Sequence, residues 1–342
     1  MRFVGLGAVQ EGMVLAHSVY DSSGRCLLNR NSTIRSKFIK RLQSSGVIGV
    51  YVYDEDVDAQ VVSLLEAGTV EAAFVALKQR DYDTCTMLAT TMVDTIMQNS
   101  GNLQNMTLLA QYDDDTFRHS ISVATLATTV AIELGLDVQQ CKYVATAGLL
   151  HDIGKQMIPK EILLKDGPLT ESERELVKRH PRFGYELLQG SYTISSVVKN
   201  AVLCHHENYD GSGYPLGLVG EKISVVAQVI HVCDVYDAMV SKRVYKEDMN
   251  PADVIEFLWA GVGTMFSLRV VDAFRRCVFP YTVGIQVRLS DGCSGVVTEN
   301  FKGLPLRPDV YCLQKHDTVS LRDNLSLQIT AVEGIAPPHL SC

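Results

Sequence analysis

The alternation of apolar and polar positions divides the chain into regions of different character. "VLAHSVYDSSGRCLL" reads as two short strands around a Ser-Gly turn. "TIRSKFIKRLQSSGV" carries Ile34, Phe38 and Leu42 at the spacing of one helix face and stops near Gly46. "VIGVYVY" has the continuous apolar character of a buried strand. Residues 1–56 therefore predict a small α+β module. Residues 57–104 turn to helical spacing at Val61, Leu64, Leu65, Phe74, Leu77, Met87, Leu88 and Thr91. They predict a helical linker suited to packing on the next region or on a second copy of itself. Residues 105–280 keep helical periodicity almost throughout. From 281 the pattern changes again: "GIQVRLSDGCSGVVTEN" is a hairpin with Asp-Gly at its turn, and "DVYCLQ" and "SLQITAV" add short strands. Residues 281–342 thus predict a small β-rich C-terminal appendage. The expected fold is mainly α, a helical bundle with these two small modules attached.

Composition narrows the function. The chain has 342 residues, enough for two or three domains, and 46% of them are hydrophobic, enough for a sizeable core. The formal charge of −8 argues against polymeric nucleic acid or an anionic membrane as a partner. An anionic substrate would need local positive charge. Nine cysteines without a C-x-x-C pair argue against a disulfide framework or a zinc ribbon and suit a reducing cytoplasm. The N-terminus is a poor signal peptide, and "ISVATLATTVAIELGL" is too short to span a bilayer.

The helical region raises the chemical question. His119 falls in line with Val123, Leu126 and Val130, with Asp115 four residues earlier on the same face. His151 continues the stripe of Val144, Ala147 and Gly148, with Asp152 beside it and Lys155 one turn on. His205 continues Val198, Ala201 and Val202, and Asp234 continues Ile223, Ala227 and Ile230. One histidine on an apolar face is usually a satisfied core residue. Several histidines together with aspartates would ruin a bundle unless something neutralises them. Divalent cations do so directly, and imidazole with carboxylate but no thiolate favours Fe, Mn, Zn or Co. Adjacent residues diverge by about 100° around a helix, so His151 and Asp152, like His205 and His206, reach different positions. Two neighbouring metals suit phosphodiester hydrolysis, because they activate water and neutralise charge on phosphate. Pro181 disfavours helical geometry at His180, which is expected at a break between helices. Cys204 and Cys233 read as small buried fillers, and His231 receives no role.

"HDIGK" at 151–155 and "HHENYDGSGYP" at 205–215, with "HS" at 119–120, "HP" at 180–181 and "DVYDAM" at 234–239, resemble the HD-GYP family of bacterial cyclic di-GMP phosphodiesterases. The resemblance covers residues 105–280 and implies an HD-type helical bundle as the catalytic domain. It implies metal ligands at His119, His151, Asp152, His180, His205, His206 and Asp234, with Asp152 bridging two metals. A carboxylate at Asp115 is the mark of members able to hold a third ion, although an acid there also suits a helix N-terminus. Lys155 is expected to hold a phosphate oxygen and steady the leaving group, which makes it catalytic together with Asp152. Tyr214 is a candidate nucleotide contact, with a plain structural turn as its other reading. Gly211 and Gly213 are expected to allow a tight turn and close approach to a ligand. Arg243 and Lys246 in "SKRVYK" inherit contacts to guanine or phosphate, with Val244 standing where the family usually has Pro. The implied activity is metal-dependent hydrolysis of cyclic di-GMP to linear pGpG, with a second cut to GMP open to the family. The implied cofactors are two or three divalent ions, Fe or Mn, and the expected partners are cyclic di-GMP and a second copy of the chain. The other readings are a cyclic di-GMP sensor or interaction module without strong turnover, and an HD-type hydrolase of another nucleotide, against which the "GYP" loop argues.

Overall fold

The structure is a computed structural model and describes residues 2–6, 9–15, 19–20, 26–29, 32–44, 47, 49–53, 76, 79–98, 115–240 and 250–335. It divides into two compact units. One gathers Met1–Ser63, Gly101–Leu108 and Phe279–Cys342; the other gathers Leu64–Ser100 and Leu109–Val278.

The first unit is built of antiparallel strands. β1 (Arg2–Gly5), β5 (Gly49–Tyr53) and β2 (Val14–Leu15) form a sheet in that order, and β3 (Val19–Tyr20) pairs with β4 (Cys26–Leu28). Helix α1 (Ser36–Ser44) sends Leu42 into the core beside Val4, Leu15, Ile34, Val50 and Val52. The C-terminal strands are β6 (Ile285–Leu289), β7 (Ser294–Glu299), β8 (Asp309–Cys312), β9 (Asp317–Ser320) and β10 (Ile329–Ile335). They make a five-stranded sheet in the order β10-β6-β7-β8-β9. The Asp-Gly hairpin is there: Gln286 faces Val296 and Arg288 faces Ser294, with Gly292 at positive φ in the turn. Val287, Leu289, Val297, Val310 and Leu321 fill this sheet's core. The buried hydroxyl of Tyr51 on β5 donates to the carbonyl of Gly284, so residues 233 positions apart share one hydrogen bond within this unit.

Cysteine usage departs from expectation, because Cys293 and Cys312 are joined as a disulfide with Cα atoms 6.3 Å apart. The cause is register: Cys312 lies opposite Gly295, which brings it near the end of the β6–β7 hairpin. A pairing across 19 residues cannot be read without that register.

The second unit is helical: α2 (Tyr82–Gln98), α3 (Asp115–Glu133), α4 (Val138–Leu150), α5 (Lys160–Leu163), α6 (Glu171–Val177), α7 (His180–Gln189), α8 (Ser196–Cys204), α9 (Val225–Val240), α10 (Pro251–Ala260) and α11 (Leu268–Cys277). Local sequence sets several boundaries. Asp137 with Gln140, and Thr170 with Glu173, form capping boxes at α4 and α6. Ser195 caps α8, while Asn250 caps α10 ahead of Pro251. α4 packs on α2, α3 and α8, and α9 packs on α3 and α8. Val123, Ala127, Val144, Ala147, Val202, Ala227 and Ile230 are buried between them. Within the described part of the expected linker, α2 buries Cys85, Ala89 and Val93 in this unit. No described helix is long and apolar enough to cross a membrane.

The Tyr51 hydrogen bond generates a stability prediction. Tyr51→Phe leaves the Gly284 carbonyl without this donor, a loss of about 1–3 kcal/mol. Thermal unfolding of the variant is expected to show an earlier transition, and an unchanged midpoint would deny the bond any structural weight.

Candidate metal centre

The centre is assembled mainly from helix ends. His151 directly follows the last residue of α4, and His205 directly follows the last residue of α8. His180 begins α7 just beyond α6, at the break that Pro181 implies. The last carbonyls of a helix lack partners within it. Each of these imidazoles answers one such carbonyl three residues back. His151 Nδ1 lies 2.8 Å from the Gly148 oxygen, His180 Nδ1 2.7 Å from Val177 and His205 Nδ1 2.7 Å from Val202. A carbonyl only accepts, so each Nδ1 carries the proton. The Nε2 of each neutral ring is left with a lone pair. His119, in the first turns of α3, does the same with a side chain: its Nδ1 donates to Asp237 at 2.7 Å.

Three of the four Nε2 atoms approach Asp152. Asp152 Oδ2 lies 3.4 Å from His151 Nε2 and 3.9 Å from His119 Nε2, whereas Oδ1 lies 3.4 Å from His180 Nε2. Asp234 Oδ1 adds a second acid, 3.0 Å from His119 Nε2 and 3.8 Å from His151 Nε2. His180 and His205 bring their Nε2 atoms within 3.2 Å of each other. Two ring lone pairs that close repel unless something positive lies between or beside them. The buried Nε2 of His151 makes no hydrogen bond, and that of His119 meets only carboxylate oxygen, Asp234 foremost. Burial of an unpaired polar atom is costly, so the orphaned His151 nitrogen fits a ligating role. His119, His151 and Asp152 form one group of converging donor atoms and His180, His205 and His206 another, each within 4.8 Å. The donor set of the described residues fits divalent cations.

Electrostatics favour the ligand form of the groups other than His119. Burial pushes the His205 pKa well below its ordinary value, and the neighbouring histidines add to this. Burial likewise lowers His180, and pushes His206 down to about 3. Burial alone would raise Asp152, but Lys155, His151 and His180 outweigh it and hold the carboxyl well below the usual range. For Asp234 burial is again outweighed, here by His119 first and then His151. His119 goes the other way: burial opposes its charge, yet Asp234, Asp237 and Asp152 push it up to about 9. Positive charge is therefore favoured where His119 meets the three aspartates.

Two close approaches hold these pieces together. A Cβ on Gly154 would stand 1.9 Å from the His180 carbonyl oxygen and 2.4 Å from the Gly184 nitrogen, so only glycine lets the turn after Asp152 lie against α7. A Cβ on Gly213 would stand 2.2 Å from the Asn208 nitrogen and 2.4 Å from the His206 oxygen. The expected close approach at "GYP" is thus to the chain's own backbone. The loop folds back on the histidine pair, Tyr214 N donates to His206 O, and the Tyr214 ring stacks on His206 with centroids 4.9 Å apart. Lys155 is ion-paired with Asp152 Oδ2 and remains partly exposed.

Of the other expected site residues, Asp115 begins α3, and its side chain lies outside the described residues, as do Arg243 and Lys246 entirely. Sequence reasoning passed over three groups. Asp237 meets both His119 and Ser122, and the i,i+3 spacing of Asp234 with Asp237 and of His119 with Ser122 was the available signal. Buried Glu207 accepts the Leu216 and Leu218 amides at 2.6 and 3.0 Å and so anchors the exit of the "GYP" loop. His231, left without a role, is buried with Nε2 3.2 Å from Asn208 Oδ1. Gly154→Ala is expected to cost at least the roughly 1–3 kcal/mol of overpacking. Thermal unfolding and metal content should fall together, and an unperturbed variant would contradict the packing described.

Comparison with known proteins agrees with this architecture. Residues 104–269 match the family model described as HD domain. The chain is 40% identical over 217 residues to "Cyclic di-GMP phosphodiesterase PA4108" of Pseudomonas aeruginosa, covering 63% of this chain and 52% of that protein. It is 47% identical over 152 residues to "Cyclic di-GMP phosphodiesterase response regulator RpfG" of Xanthomonas campestris, covering 44% of this chain and 40% of that protein. The chain thus spans about half the length of these relatives. The solved structure "Bd1817, a HDG"Y"P protein from Bdellovibrio bacteriovorus" shares the fold with a TM-score of 0.51 at 18% identity, over 80% of this chain and 97% of that one. The helix-end histidines, the aspartates between them and these likenesses agree: residues 104–269 match the HD-domain family model, and the chain's motifs are similar to those of the HD-GYP family.

Proposed function

We propose that the chain hydrolyses cyclic di-GMP in a divalent-metal-dependent reaction, with linear pGpG as the first product and GMP as the product of a second cut. The observation that carries this reading is the approach of the His119, His151 and His180 Nε2 atoms to the two oxygens of Asp152, with His205 Nε2 beside that of His180. The names of the two relatives supply the substrate.

His119, His151, Asp152 and Asp234 would hold one ion, and His180, His205 and His206 a second, with Asp152 turned to both. When bound, such ions supply a nucleophile from water at neutral pH and neutralise charge on the phosphate. Two ions are what the described groups support, and Asp115 is the residue that would add a third. Iron or manganese suits this imidazole and carboxylate set. Lys155 belongs to the same reading. Held beside Asp152 and reaching solvent, its ammonium can turn to a phosphate oxygen and the departing oxygen. Tyr214, stacked on His206, would lie against the nucleotide, while Arg243 and Lys246 would contact guanine or phosphate. The local cationic charge answers the chain's formal −8. A cytoplasmic location and a homodimer complete the proposal.

Purification under reducing conditions, a metal count and product analysis with cyclic di-GMP test the proposal. Asp152→Ala is expected to lose metal and to cut turnover by more than the roughly 10–100-fold typical of residues that only support a ligand. Unchanged turnover would remove the assignment, and binding without turnover by the fully loaded wild type would make the protein a sensor. Chelation is expected to abolish product formation, and Mn²⁺ to restore it, in the same assay.

A further inference from the structure

Asp237 has no place in the ligand set, yet it is among the most buried acids of the helical unit, 4% exposed. It lies one turn beyond Asp234 on α9. Its Oδ2 accepts from His119 Nδ1 at 2.7 Å, and its Oδ1 accepts from the Ser122 hydroxyl on α3. The two aspartates of α9 therefore grip one imidazole from opposite sides, Asp234 at Nε2 and Asp237 at Nδ1. His119 differs from His151, His180 and His205. Those sit at helix ends, where a spare carbonyl orients the ring. His119 sits inside α3, where the carbonyls of the preceding turn belong to the helix ladder. Nothing in its own backbone can take over the duty that Gly148, Val177 and Val202 perform for the others.

We propose that Asp237 is a positioning residue for the metal centre. It stands in for the missing helix-end carbonyl, holds His119 as the Nδ1–H form and aims Nε2 at the cation. An ionised carboxylate only accepts, so it specifies which nitrogen keeps the proton. Its charge also raises the basicity of the opposite nitrogen, as carboxylates behind metal-bound histidines do. The Ser122 contact occupies the other oxygen. This inference rests on the metal reading above.

Mn²⁺ affinity of the full chain tests it. Asp237→Asn keeps the shape and removes the charge, and is expected to weaken Mn²⁺ binding by about 10-fold, within the range for such partners. Ser122→Ala removes the second contact only and is expected to retain wild-type affinity. In the zinc-loaded wild type, a histidine Nδ1 proton should resonate far downfield through its bond to the carboxylate, and Asp237→Asn should shift it back. Wild-type Mn²⁺ affinity in Asp237→Asn overturns the proposal. So does an equal loss in Ser122→Ala, which would make Asp237 merely a tie between α3 and α9. A wild-type chain that binds no Mn²⁺ removes the metal reading itself, and is told apart by that control.

Discussion

The bond from an imidazole Nδ1–H to a helix-end carbonyl is the interaction on which this centre depends. Helices must end, and their last carbonyls need donors. A histidine just beyond the end meets that need with one ring nitrogen and is thereby forced to turn the other away from the helix axis. His151 and His205 do this at two ends, and His180 does it across the α6–α7 break. Because α4, α6 and α8 bring those ends toward one point, a local capping interaction becomes a shared cluster of lone pairs. The tautomers follow from backbone geometry and need no further device.

Asp152 turns the cluster into a place for positive charge. It stands between His151 and the 3-10 turn Ile153–Met157, and its two oxygens look toward different histidines. A buried carboxylate in apolar surroundings would take up a proton, but here the surrounding donors hold it ionised. Gly154 is the steric condition for this arrangement, since any side chain there would push the turn away from His180. On the opposite side, Gly213 and Glu207 fold the "GYP" loop onto His206, which presents the Tyr214 ring beside the cluster. Packing and chemistry are thus imposed by the same few residues.

Much of this was legible along the chain, for local reasons. Capping residues such as Asp137 and Thr170, and the turn at Gly292, act within a few positions, so their effect is visible in a short window. The apolar stripes leading to His151 and His205 pointed those side chains inward. What stayed hidden depends on distant partners. Tyr51 and Gly284, Cys293 and Cys312, and His119 with Asp237 meet only because separate elements pack or pair. The "GYP" glycines showed the same limit: a need for close approach was readable, but the neighbour turned out to be the chain's own backbone.

The sequence by itself determined which groups are available and which face of its helix each one occupies, because helical periodicity and the bar on unpaired charge in a core act residue by residue. Only the tertiary structure decided the rest. It set which ring nitrogen keeps its proton, which oxygen of Asp152 faces which histidine, and that Asp237 braces His119. Those outcomes require atoms from α3, α4, α7, α8 and α9 to be fixed within hydrogen-bonding distance, and spacing along one chain carries no information about distances between helices.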